Sequence, residues 1–145
     1  RTAGALTVRV LPFVAQPDYD RLLWACDVNF VRGEDSFVRA QWAGRPFVWH
    51  IYPQDENLHH KKLRAFLQRH AGGIDSLAAF SWYWNGASEQ GDCAELWRHF
   101  SADMPAMRAR MAEWQDEVLT HGDLAGNLLK FAATLRSSLV VANEV

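Results

Sequence analysis

Cysteine is nearly absent: Cys26 and Cys93 are the only two in 145 residues, and neither stands in a Cys-x-x-Cys pair. That argues against a disulfide framework and points to a reducing, cytoplasmic setting. No stretch approaches the ~18 uncharged apolar residues that a membrane-spanning helix requires, so no membrane partner is expected. A basic-then-apolar leader is also missing, and nothing marks secretion. There is no excess of positive charge either: fifteen basic residues stand against seventeen acidic ones, a net charge of −2. A large nucleic-acid footprint needs a basic excess on some face, so that class of partner is set aside. A small anionic ligand needs only a local arrangement of donors and stays open. Internal repeats and low-complexity runs are lacking. The chain opens at Arg1 without a methionine and enters a strand almost at once, from which we expect an N-terminal portion to be missing.

What is present is apolar and aromatic. The apolar fraction is 49%, with seven Trp and eight Phe, enough for a sizeable core in one domain or one half of a larger protein. Leu6 to Leu11 reads as a strand, with Leu6, Val8 and Val10 on one face, and Pro12 ends it. Pro17 and Asp18 open a helix over Tyr19 to Ala25. Cys26 to Val31 is the next strand, broken by Gly33. A helix from about Asp35 to Trp42 stops at Gly44. Phe47 to Tyr52 is a strand apolar enough to be covered on both faces, closed by Pro53. Strand, helix, strand, helix, strand with short connections predicts an α/β fold with a parallel sheet flanked by helices. Beyond Asn57 the pattern turns helical, with helices over Leu58 to His70, Ile74 to Trp84, Ala94 to Phe100, Met107 to Leu119 and Leu124 to Leu139.

One short stretch, Arg32-Gly-Glu-Asp-Ser36, carries the chemistry. In a doubly wound sheet, ligands bind beyond the carboxyl ends of strands, where loops lead into helix starts. A helix start exposes unpaired N–H groups and a partial positive charge. Those amides, the Ser36 hydroxyl and the Arg32 guanidinium suit a phosphate or diphosphate. Glu34 and Asp35 would repel an anion if they faced it; turned sideways they accept hydrogen bonds from sugar hydroxyls. A nucleotide sugar satisfies the whole set. The bland alternative is that acids in a first turn only stabilise the helix and pair with Arg32. Phe13 and Gln16 after the first strand and Tyr52 at the end of the third should share the same sheet edge. They supply two aromatic faces and an amide, although each aromatic taken alone is more often core.

The continuous stretch "PFVAQPDYDRLLWACDVNFVRGEDSFVRAQWAGRPFVWHIYPQ", Pro12 to Gln54, closely resembles the protein-arginine rhamnosyltransferases that modify bacterial elongation factor P. The helical tail is similar in character but less diagnostic. That resemblance implies a Rossmann-like fold, with residues 1–145 as the C-terminal, donor-binding lobe of a GT-B enzyme and the acceptor-binding lobe missing. It implies transfer of L-rhamnose from TDP-β-L-rhamnose to an arginine of elongation factor P, with inversion and without a metal or other cofactor. By the same resemblance Phe13 lies against the thymine and Gln16 contacts its polar edge or the nearby sugar. Arg32 and Ser36 hold the diphosphate, Glu34 and Asp35 fix sugar hydroxyls, and Tyr52 closes on the diphosphate or base side. Asp35 also orients the donor in the transition state, while the general base is expected in the missing lobe. The pocket's polar residues do not by themselves name the sugar, so a GT-B half using another nucleotide sugar is the second reading. A non-catalytic nucleotide-sugar-binding module is the third.

Other features invite plainer readings. His59-His60-Lys61-Lys62 reads as a solvated basic face, because adjacent histidines point different ways on a helix. Ser81 to Gly86, "SWYWNG", reads as core packing or a contact between lobes, with a carbohydrate platform as the alternative. Met104, Met107 and Met111 are spaced as core filler. The last helix presents Leu128, Leu129, Ala132 and Leu135, and only analogy links it to a crossing between lobes.

Overall fold

The structure, a computed structural model, describes residues 1–87 and 91–142. Its centre is a parallel pair of strands, β3 (Asn29–Arg32) and β4 (Phe47–His50), in the register Asn29↔Phe47 to Arg32↔His50. Helix α1 (Gln16–Ala25) leads into β3, and α2 (Glu34–Ala43) connects β3 to β4. Pro17 sits in the first turn of α1, where its missing N–H costs nothing. Gly44 ends α2 in the left-handed region at φ 62°, a conformation glycine adopts without a Cβ penalty. The buried Asn29 amide donates to the Leu23 carbonyl at 3.0 Å and fastens the end of α1 to the start of β3.

The sheet is covered on both faces. Phe47 and Trp49 face α2 and α3 (Leu58–His70), where Phe37 stacks on Trp49 at 3.8 Å and meets Phe66 at 4.8 Å. Phe30 faces the other way, against Phe80 and Trp84 of α4 (Asp75–Trp84) and Trp97 of α5 (Cys93–Ala102). Helix α6 (Met104–Leu119) completes the core with Met107 and Met111, both buried as the spacing predicts. The final helix, α7 (Leu124–Ala142), leaves Leu124, Leu128, Leu129, Phe131 and Leu135 exposed. Among the described residues no helix is long and apolar enough to cross a membrane.

Three sequence expectations need correction. Leu6 to Leu11 does not join the parallel sheet. Instead β2 (Leu6–Thr7) folds back antiparallel on β1 (Thr2–Ala3) through a turn at Gly4, φ 60°. Val8 still exchanges hydrogen bonds with Arg1 at the end of this hairpin, and residues 9–11 run on outside any sheet with Val10 in solvent. Period-2 alternation describes a strand's faces but not its partner, and a local two-residue hairpin needs no long crossover. The basic face at the start of α3 is not wholly solvated either. His59 turns inward, where its Nδ1 accepts from the Gln54 amide at 3.1 Å. Its ring lies 4.1 Å from that of His60, so the two neighbours are in contact rather than diverging. Finally, β4 ends at His50, short of Tyr52. Beyond it the Asn85 side chain takes over the role of a neighbouring strand: its Oδ1 accepts from Ile51 N at 3.0 Å, and its Nδ2 donates to Trp49 O at 2.8 Å.

Candidate functional site

The turn after β3 is built around Gly33. Its φ of 79° and ψ of 177° lie in a region open essentially to glycine alone. A Cβ there would come within 3.1 Å of the Tyr52 ring, so the ring packs directly over the backbone. The Gly33 carbonyl accepts from Phe37 N at 3.3 Å and from the Trp49 indole at 3.1 Å. The start of α2 is thereby held from below by a buried side chain of the neighbouring strand. Among the described residues no side chain caps this helix start, and the amides of Glu34, Asp35 and Ser36 lie in the turn where a helix has no partners of its own.

Two groups of residues flank this turn. On one side Arg32 lies over the Tyr52 ring, 4.7 Å from guanidinium carbon to centroid. Among the described residues the Arg32 guanidinium makes no ion pair, so its donors are oriented by stacking and unspent. On the other side a depression of about 460 Å³ is lined by Pro12, Phe13, Val14, Gln16, Tyr19, Asp35 and Ser36. Phe13 is fully exposed, an apolar face in water beside polar neighbours. Glu34 is exposed at the turn itself.

All seven expected residues thus fall along one edge of the sheet, but not in one cavity. Phe13, Gln16, Asp35 and Ser36 share the depression, whereas Arg32, Glu34 and Tyr52 lie outside its lining. The bland expectation that Arg32 pairs with a first-turn acid is not met. Asp35 pairs instead with Arg39, at 3.0 Å across one helical turn. Arg39 also reaches both carboxylate oxygens of Asp20 on α1 at 2.9 Å. Hydrogen bonds to Asp20, then to Asp35, hold its pKa above the ordinary arginine value. Sequence reasoning passed over Tyr19, Asp20, Arg39, Trp49 and Asn85. The i, i+4 spacing of Asp35 and Arg39 was a readable signal; nothing in the spacing of the other four announces their contacts.

Residues 1–133 match the family described as Elongation-Factor P (EF-P) rhamnosyltransferase EarP. The chain is 50% identical over 133 residues to the protein-arginine rhamnosyltransferase of Pseudomonas putida, covering 90% of this chain and 35% of that protein. Against the protein-arginine rhamnosyltransferase of Pseudomonas aeruginosa it is 49% identical over 134 residues, with 89% and 35% covered. A solved structure described as the structural basis for EarP-mediated arginine glycosylation of translation elongation factor EF-P superposes with a TM-score of 0.73. Its sequence is 44% identical, and the match covers 92% of this chain and 43% of that one. The chain therefore spans about a third of the length of the curated relatives it matches.

Proposed function

Because the chain belongs to the elongation factor P rhamnosyltransferase (EarP) family, we propose that it forms the nucleotide-sugar-binding half of a protein-arginine rhamnosyltransferase. In this reading residues 1–145 are one Rossmann-like lobe of a GT-B enzyme, and the acceptor lobe lies in the remaining length that the relatives possess. L-Rhamnose passes from TDP-β-L-rhamnose to an arginine of elongation factor P with inversion, in the cytoplasm. The observation that carries the reading is the uncapped start of α2, with an unpaired Arg32 on one flank and the Phe13–Gln16–Asp35–Ser36 depression on the other.

The chemistry follows from that layout. As the anomeric C–O bond breaks, negative charge grows on the terminal phosphate. Arg32, the Ser36 hydroxyl and the first-turn amides meet it as preorganised donors. The exposed Phe13 ring takes the flat face of the base and Gln16 its polar edge. Glu34 and Asp35 accept hydrogen bonds from sugar hydroxyls, and Asp35 orients the donor ring for attack. Tyr52, stacked beneath Arg32 and over Gly33, closes the diphosphate side. The acceptor guanidine is too basic to attack unaided, so its proton is removed by a base of the other lobe.

Titration calorimetry tests the reading. The folded chain should bind TDP and TDP-rhamnose weakly, since it supplies one wall of the cleft, and both better than UDP-glucose. A demonstrably folded sample that takes up no nucleotide overturns the proposal. A preference for UDP-glucose shifts the assignment to a transferase half with a different donor.

A further inference from the structure

Asp35 serves two neighbourhoods. One carboxylate oxygen, Oδ2, accepts from Arg39 Nε at 3.0 Å, while the side chain is 73% exposed and lines the depression. Arg39 is only 24% exposed. Its Nη1 donates to both oxygens of Asp20 at 2.9 Å. Asp20 follows Tyr19 on α1, and Tyr19 and Gln16 form the facing wall of the same depression. One cation between two anions therefore ties α1 to α2, the two helices that wall the groove. An exposed carboxylate paired across one helical turn contributes little to stability. The contact costs Asp35 rotamer freedom and fixes where its remaining lone pairs point.

We infer that Arg39 is a positioning residue for the donor sugar: braced by Asp20, it aims the Asp35 carboxylate into the groove and sets the distance between the two walls. The inference rests on the reading of this groove as the donor site. The trio carries one net negative charge, so Asp35 keeps acceptor capacity for hydroxyl groups after satisfying Arg39. The planar guanidinium is required, because Nε and Nη1 address two carboxylates at once. A lysine ammonium on a flexible stem has no such fork.

The test is a double-mutant cycle in the whole enzyme, with donor KM and kcat read separately and calorimetric Kd for TDP-rhamnose alongside. Arg39→Gln should weaken donor binding by about 10-fold, and adding it to Asp35→Asn should change Kd by less than about 2-fold. Arg39→Lys keeps a cation between the helices and with it the fold; it should still weaken the donor by about 3-fold or more. Binding of TDP alone, which lacks the rhamnose, should move far less in every variant. Two results overturn the inference: wild-type donor affinity in Arg39→Lys, or an Arg39→Gln penalty that persists undiminished beside Asp35→Asn. If Asp35→Asn by itself leaves donor affinity unchanged, the donor-site reading falls and this inference with it.

Discussion

Individual side chains here are constrained in ways that make separate predictions. Gly33 combines a glycine-only backbone conformation with a tyrosine ring 3.1 Å from its missing Cβ. Gly33→Ala should cost about 1–3 kcal/mol in urea unfolding and should also impair donor binding, because the strained residue starts the candidate phosphate turn. Arg32→Ala and Asp35→Ala should each lower turnover of the whole enzyme by more than ~10-fold, equivalent to about 1.4 kcal/mol of transition-state stabilisation. Unchanged steady-state rates in both would refute the site. His70 predicts a pH effect. It is fully buried among Phe47, Phe66 and Trp114, and among the described residues neither ring nitrogen has a hydrogen-bond partner. Burial, with the Arg110 charge adding to it, pushes its pKa from 6.5 down to about 3. Between those values the unfolded chain holds a proton that the native state refuses, so stability falls as the pH falls. The loss should reach about 2 kcal/mol on going from about pH 7 to about pH 5. Urea midpoints across that range measure it, and His70→Phe should flatten the slope.

Among the elements, two are finished by side chains that come from far along the sequence. β4 is continued by Asn85, which also donates to Ser81 O at 2.9 Å. Asn85→Ala should cost about 1–3 kcal/mol, since it leaves the polar groups of Trp49 and Ile51 without their partners. Helix α3 is ended by Arg110 of α6, whose Nε donates to His70 O at 3.1 Å and whose Nη2 donates to Arg69 O at 2.7 Å. Gly72 makes room for that arginine: a Cβ there would meet Arg110 Cδ at 2.5 Å. The helix boundaries themselves were largely legible. Leu58 to His70 is α3 as read, and Gly44 stops α2 as expected. Glycine and proline act through their own backbone geometry, which is local. The partners supplied by Asn85 and Arg110 depend on how helices pack, and local sequence does not carry that.

The molecule as a whole is unevenly consolidated. The sheet and helices α1 to α6 share one apolar core, while among the described residues α7 leaves five large apolar side chains exposed. Its amides should exchange with solvent deuterium at least ~100-fold faster than those of α3 and α6 in this chain, since little tertiary burial opposes its opening. Equal protection would show that α7 is held as firmly as the core. The sequence by itself determined the helix succession, the parallel β3–α2–β4 unit and the residue types at the candidate binding edge. Hydrophobic period, turn residues and helix-start chemistry are all properties of neighbours in the chain. Tertiary structure alone decided that residues 9–11 lie outside the sheet, that His59 and His70 turn inward, and that Asp35 answers to Arg39 and Asp20 rather than to Arg32. Those outcomes depend on distances between segments remote in sequence, and such distances exist only once the core has packed.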